Sequence, residues 1–303
     1  MGKPDLLLVT PLPPSWHDGL SQLFECHDLA LLTAAELEGV ARRVRGVVAS
    51  AKSVVTDELI GYLPALEIIA VIGVGLDGID TRSAARRDIR VCNTPSVSTE
   101  DIADFAWALL LASARQVVHA DQFVRCGQWS LGQHPLTLRV SGQRLGIVGL
   151  GCIGRAVAER AKAFGMQIAY TGRNRKEDVP YQWYDRVATL ARDVDFLVVC
   201  VSGGESTRAL IDAEVLLALG PKGVLVNVAR GAVIDEQALV EALQQRVLAA
   251  AGLDVFWDEP QVPEALLSLS NVVLAPHMAS MTEQSLRAMF EQTLTALTES
   301  LCD

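Results

Sequence analysis

The chain has 303 residues, too long for one ordinary core and about right for two domains. Half of the residues are apolar and 20% are charged, a normal globular balance. A net charge of −10 argues against a nucleic-acid or acidic-membrane partner, because either favours a basic face. An acidic protein that binds an anionic substrate must concentrate its cations at the binding cleft.

Taken in chain order, short apolar runs alternate with amphipathic stretches. Asp5–Thr10 reads as a strand and Ser15–Cys26 as a helix begun by a serine cap. Gly46–Ala49 reads as a strand, Thr56–Tyr62 as a helix, Glu67–Ile72 as a strand, Arg82–Arg87 as a helix and Arg90–Cys92 as a strand. This β-α-β-α rhythm requires a parallel sheet covered on both faces. Asn93-Thr94-Pro95 then breaks the pattern, and Ser98-Thr99-Glu100-Asp101 signals a helix start, with acids where the helix dipole favours them. One long helix is expected to about Arg125. Further strands are expected at Gln143–Gly149, Gln167–Thr171, Asp195–Val201, Gly223–Val228, Leu248–Gly252 and Asn271–Ala275. A helix over Ile153–Phe164 lies among them. The last helix, Thr282–Leu301, has no strand after it and is expected to cross back over the first sheet.

The expected architecture is α/β, with two Rossmann-like doubly wound parallel-sheet domains and the active site in the cleft between them. Residues 1–95 plus 280–303 form the substrate-binding domain, and 96–279 the dinucleotide-binding domain. The long helix from about residue 100 to 125, with the loop to about 140, has more apolar surface than one domain needs, so a homodimer is expected. The six cysteines, Cys26, Cys92, Cys126, Cys152, Cys200 and Cys302, have no metal spacing. They read as reduced, mostly buried thiols, with no metal. The apolar run Leu6–Val9 is too short for a signal peptide, and nothing approaches the roughly 18 apolar residues of a membrane span. A cytoplasmic location is expected.

Gly149-Leu150-Gly151-Cys152-Ile153-Gly154 is G-x-G-x-x-G between a predicted strand and a predicted helix. Gly149 makes the tight turn, Gly151 lets the backbone approach a pyrophosphate, and Gly154 lets helix and strand pack closely. The helix N-terminus then offers free N–H groups to the phosphates. The next strand runs into Gly172-Arg173-Asn174-Arg175-Lys176. An NAD site wants a carboxylate here for the ribose hydroxyls. Cations at Arg173 and Arg175 suit a 2′-phosphate, so the expected cofactor is NADP, as NADPH.

Three predicted strands end in charged groups. Arg230 follows Gly223–Val228, acids follow Leu248–Gly252, and His277 follows Asn271–Ala275. Open α/β sheets bind ligands at these ends. A 2-oxo acid needs a cation for its oxygens and a proton donor for the developing alkoxide. His277 can be that donor, oriented by a nearby carboxylate that favours its charged form. Lys52, after Gly46–Ala49, is a candidate substrate cation.

On these residues the chain resembles the D-isomer-specific 2-hydroxyacid dehydrogenase family over nearly its whole length. The likeness is carried by the G-L-G-C-I-G turn, N-V-A-R-G ending at Gly231, G-L-D-V-F-W-D-E-P ending at Pro260, A-P-H at 275–277, and V-I-G-V-G-L-D-G-I-D from Val71 to Asp80. Within the family it is most similar to the NADPH-using hydroxypyruvate, glyoxylate and hydroxyphenylpyruvate reductases. The resemblance implies that Arg230 binds substrate, Glu259 pairs with the histidine, and His277 is the acid/base. It implies that backbone N–H groups at Val74 and Gly75 hold the substrate carboxylate, and that Asp254 contacts the nicotinamide amide. Cys152, Ile153, Asn174, Ser202 and Val228 fall among cofactor-lining positions by the same resemblance. The implied reaction is reduction of a hydroxypyruvate- or glyoxylate-type 2-oxo acid to the (R)-2-hydroxy acid. A non-catalytic NAD(P)-sensing co-repressor on the same fold is the alternative.

Overall fold

Every apolar run read above as a strand is a strand in the computed structural model, which describes residues 2–302. Residues up to Ser98, together with those from Thr282 onward, form one unit, and Thr99–Met281 form another. In the first unit the elements are β1 (Asp5–Leu8), α1 (Pro14–Ser21), β2 (Glu25–Asp28), α2 (Ala34–Ala41), β3 (Val44–Ser50), α3 (Asp57–Tyr62), β4 (Ile68–Ile72), α4 (Thr81–Arg86) and β5 (Arg90–Cys92). The second unit holds α5 (Thr99–Arg115), α6 (Val117–Arg125), β6 (Arg144–Val148), α7 (Cys152–Ala163), β7 (Gln167–Thr171), β8 (Gln182–Tyr184), α8 (Val187–Arg192) and β9 (Phe196–Val199). It continues with α9 (Ala213–Leu219), β10 (Val224–Asn227), α10 (Glu236–Gln244), β11 (Ala250–Leu253), α11 (Glu264–Leu267) and β12 (Val272–Leu274). The chain then returns to the first unit as α12 (Glu283–Leu301).

The first sheet has the order β2-β1-β3-β4-β5, all parallel. Leu297 and Leu301 of α12 pack with Leu6, Leu8, Val48, Ile68 and Ala70, so the closing helix covers this sheet as expected. Each such leucine, taken out of water, is worth about 1.5–3 kcal/mol. Thr282 caps α12 by accepting the Ser285 N–H.

The second sheet has the order β12-β11-β10-β9-β6-β7-β8, also parallel throughout. Strand order reverses between β6 and β9, which is where open α/β sheets place their ligands. Both faces are buried, one under α5 and α7 and the other under α8, α9 and α10. The Trp107 indole N–H of α5 donates to Val157 O of α7 at 3.1 Å.

Several expectations are corrected. The helix expected to run unbroken to Arg125 breaks at Gln116, which adopts a left-handed φ of 51°. No glycine or proline marks the break. The helix expected over Ser15–Cys26 starts at Pro14 without a side-chain cap and ends at Ser21, and Glu25 opens the edge strand β2. Helix α2 and the three-residue edge strand β8 were not expected; both are short and weakly patterned. The surplus apolar surface is not on α5, whose apolar face is buried in its own unit. It lies beyond the break, where Val117, Val124, Trp129, Leu131 and Leu136 are exposed, Leu136 at 98%. Nor are the thiols mostly buried: Cys126, Cys152 and Cys302 are exposed.

Candidate active site

Strand register puts Thr171, Val148, Val199, Asn227, Leu253 and Leu274 in one row across the second sheet. All the turns holding this unit's candidate residues leave the sheet just past that row, at its C-terminal edge. Register alone therefore brings Gly149–Gly154, Arg173–Arg175, Ser202, Val228–Arg230, Asp254, Glu259 and His277 to one side.

The glycine turn has the stereochemistry a dinucleotide requires. Gly149 sits at φ 95°, and a Cβ there would stand 2.7 Å from Val201 Cγ1 and 3.0 Å from its backbone N. A Cβ on Gly154 would strike the Gly149 carbonyl, so this glycine is what lets α7 close on β6. Gly151, by contrast, faces open space within 4 Å. Tight, close and open are the conditions that turn, helix packing and pyrophosphate approach set in that order. Cys152 and Ile153 open α7, whose N-cap Gly151 has no side-chain cap bond. The first N–H groups of that helix are thus left without a side-chain partner at the cap. Beyond β7, Arg173, Asn174 and Arg175 are exposed. Ser202 is exposed after β9, while Val228 is buried after β10.

The Glu259 and His277 side chains meet. His277 Nδ1 lies 2.6 Å from Glu259 Oε2, with the two side chains 23% and 21% exposed. A carboxylate accepts only, so Nδ1 carries the hydrogen. Nε2 is left to hold or release a proton. The other Glu259 oxygen accepts the Phe256 N–H at 3.2 Å. His277 has φ 54°, a left-handed conformation uncommon for a residue with a Cβ. What holds it there is Asp254, 1% exposed, whose two oxygens accept the Met278 and Ala279 N–H groups at 2.8 and 2.9 Å. Burial pushes the Asp254 carboxyl above its ordinary range, and these two bonds oppose the rise. A buried, perturbed acid next to a His–Glu pair is the pattern of a functional site. Each oxygen keeps a lone pair for a further donor.

The turn bearing Arg230 is tied down from beneath. Fully buried Asn227 accepts the Ala229 N–H at 3.0 Å and donates to Arg230 O at 2.9 Å. Arg230 itself is half-buried, and its Nη1 donates to Ala229 O at 2.7 Å. A Cβ on Gly231 would strike the Phe256 carbonyl, so this glycine lets the arginine turn lie directly against the segment leading to Glu259. Asn227 and Gly231 are thus supporting residues that motif reading quoted without assigning work to them. Their signal was there: a polar residue ending a buried strand, and a glycine just after a candidate cation.

Lys52, Val74 and Gly75 belong to the first unit. They lie on neighbouring loops after β3 and β4, where a Cβ on Gly73 would stand 3.1 Å from Ala51 Cβ. Asn93 Nδ2 donates to Val74 O at 2.8 Å, and the Gly73 N–H donates to Thr94 Oγ1 at 3.0 Å, which shapes the Val74–Gly75 loop. Lys52 is exposed. Trp129 is 69% exposed, and His134 Nε2 lies 2.8 Å from His119 Nδ1.

Parallel sheets, a dinucleotide turn and a Glu–His pair beside an arginine turn define a nicotinamide-dependent oxidoreductase of 2-hydroxy or 2-oxo acids. The profile of the D-isomer specific 2-hydroxyacid dehydrogenase NAD binding domain matches residues 107–279, and the chain belongs to that family. It is 47% identical over 288 residues to glyoxylate/hydroxypyruvate reductase A of Arabidopsis thaliana, covering 94% of this chain and 91% of the relative. It is 46% identical over 249 residues to hydroxyphenylpyruvate reductase of Plectranthus scutellarioides, covering 82% and 80%. Among solved structures, the NADPH-dependent glyoxylate/hydroxypyruvate reductase of Sinorhizobium meliloti, in complex with NADP and malonate, superimposes with a TM-score of 0.91. It is 42% identical, with 99% of this chain and 94% of that one covered.

Proposed function

We propose that this protein reduces a small 2-oxo acid, of hydroxypyruvate or glyoxylate type, to the (R)-2-hydroxy acid with NADPH. The observation that carries the reading is the 2.6 Å Glu259–His277 contact, which leaves Nε2 available at the C-terminal edge of the dinucleotide-binding sheet. The named activities of the three relatives support the same chemistry. When bound, NADPH supplies the hydride that reaches the carbonyl carbon. His277 gives its Nε2 proton to the carbonyl oxygen, so no free alkoxide accumulates. Arg230 holds the carboxylate and polarises the carbonyl. Glu259 orients the imidazole through its contact with Nδ1. Val74 and Gly75 offer backbone N–H groups to the carboxylate, and Lys52 adds positive charge. Gly149, Gly151, Cys152, Ile153 and Gly154 hold the pyrophosphate. Arg173, Asn174 and Arg175 take the adenosine side, with Ser202 and Val228 along the cofactor and Asp254 on the nicotinamide amide. In this reading residues 1–95 plus 280–303 serve the substrate and 96–279 the dinucleotide. A sensor that only binds dinucleotide has no use for an oriented His–Glu pair.

Steady-state turnover with NADPH across a panel of glyoxylate, hydroxypyruvate, hydroxyphenylpyruvate and 2-ketogluconate tests this directly. Turnover of at least one is expected, and inertness toward all of them would overturn the reading. Glu259→Gln should lower kcat less than loss of His277, because the amide oxygen still offers Nδ1 an acceptor. An unchanged kcat removes the pairing from the mechanism.

The protein is further proposed to be a cytoplasmic homodimer, joined through α6 and the loop to about residue 140. Exposed Val117, Val124, Trp129, Leu131 and Leu136 form the apolar surface that a second copy would bury. Sedimentation at micromolar concentration should give twice the chain mass. A fully active monomer would refute it.

A further inference from the structure

The loop that carries Arg173 and Arg175 is fastened at three points, and neither of those two arginines is one of them. At its end, the Tyr170 hydroxyl accepts the Lys176 N–H at 2.6 Å and donates to Lys176 O at 3.3 Å. At its start, the Trp183 indole N–H of β8 donates to Gly172 O at 3.4 Å. Just beyond, Asp178 takes a two-pronged pair from Arg155 of α7, with Nη1 at 2.9 Å and Nη2 at 3.0 Å. That third contact matters for a separate reason. Asp178 is an acid close to the basic loop, and its carboxylate is engaged by Arg155, the residue directly after the glycine turn. Among the described residues, neither Arg173 nor Arg175 forms an ion pair, and both are exposed.

Tyr170 of β7 is only 1% exposed and shares a core cluster with Leu145, Ile147, Phe196 and Val198. Burial there calls for apolar volume, not a hydroxyl. A buried hydroxyl must also find partners, which makes phenylalanine the simpler occupant. The oxygen is used on both backbone groups of one loop residue, six positions further on. Its effect is to close residues 172–176 into a fixed arch that carries the exposed Arg173 and Arg175.

We propose that Tyr170 is a specificity-determining positioning residue. Its hydroxyl, with the Trp183 indole, pre-forms the arch that receives the 2′-phosphate of NADPH and so sets the preference over NADH. This rests on the NADPH assignment proposed above. A loop that is already ordered loses less conformational freedom when it binds, and the gain goes to the ligand that contacts its crest. NADH lacks the phosphate and does not draw on that order.

Titration calorimetry of the full-length protein with NADP⁺ and with NAD⁺, before and after Tyr170→Phe, tests it without turnover. The phenylalanine keeps the ring and removes the two loop bonds. A net hydrogen bond is worth about 0.5–1.5 kcal/mol, so the NADP⁺ Kd should rise roughly 3- to 10-fold. The NAD⁺ Kd should stay within about twofold of its starting value, inside the uncertainty of additivity for distant contacts. In turnover, KM for NADPH should rise while kcat at saturating NADPH is retained. Trp183→Phe, which frees the other end of the arch, should move the same ratio in the same direction. If the unsubstituted protein binds NADP⁺ no better than NAD⁺, the cofactor assignment and this inference both fall. If it prefers NADP⁺ and both variants keep that ratio, or weaken both dinucleotides equally, the assignment survives and the arch has only a structural part.

Discussion

Replacing His277 with alanine should lower kcat/KM for 2-oxo acid reduction by about 10²–10⁴-fold, the usual worth of a positioned general acid. Dinucleotide affinity should hardly change, because the proposed function assigns the pyrophosphate and ribose to other turns. The expectation is specific to the geometry. Nδ1 is engaged with Glu259 at 2.6 Å, so only Nε2 can face a substrate. The φ of 54° and the two N–H bonds to Asp254 show a side chain held in place by its backbone as well as by its partner. Arg230→Ala should cause a loss of similar size, since in the proposed function Arg230 is the cation that polarises the carbonyl. The two variants should differ in one respect. Arg230→Ala should raise KM for the oxo acid, while His277→Ala should act mainly on kcat. Steady-state kinetics of both, with NADP⁺ titrated separately, decides the matter. A His277→Ala protein with near-normal kcat would show that the proton comes from elsewhere.

Arg173→Ala should weaken NADPH by about 10- to 100-fold, the equivalent of one lost charge-assisted hydrogen bond of roughly 1.5–3 kcal/mol. Arg173 is the first residue after Gly172 beyond β7, so it is best placed to lie on the adenine and reach the 2′-phosphate. It is exposed and takes part in no ion pair among the described residues, so its charge is available. NADH should be affected far less. Comparing kcat/KM for both cofactors, before and after substitution, separates a phosphate contact from a solvated basic turn. Equal loss with both cofactors, or equal use of both by the unsubstituted protein, would make the loop incidental.

How much of this was legible beforehand can be judged element by element. The buried parallel strands were, because a run such as Leu145–Val148 is apolar on both faces and only a sheet covered on both sides accepts it. The glycine turn was legible for the same kind of reason. Its spacing is a local stereochemical demand, and the positive φ of Gly149 and the closeness of Gly154 to the Gly149 carbonyl are the demand met. The closing helix α12 also followed from pattern alone, since an amphipathic helix with no strand after it must cover a sheet already made.

What the chain order could not reveal lies where distant segments meet or where no punctuating residue marks a change. The break at Gln116 is a left-handed residue that is neither glycine nor asparagine, so composition is silent there. Edge strands β2 and β8 have only four and three residues, too few to give a period, and their existence depends on pairing with β1 and β7. Asp254 was read as a cofactor contact, but its two bonds to the turn after His277 join residues 24 and 25 positions apart. The work of Asn227 and Gly231 likewise appears only once the turn after β10 is set against the segment after β11. The amino-acid sequence by itself determined every strand but β2 and β8, the glycine turn and the identity of the charged groups, because each answers to local sterics or to the period of burial. Only the tertiary structure decided how those groups are held. The contacts that orient them join segments far apart in the chain, and register in the parallel sheet is what brings those segments to one edge.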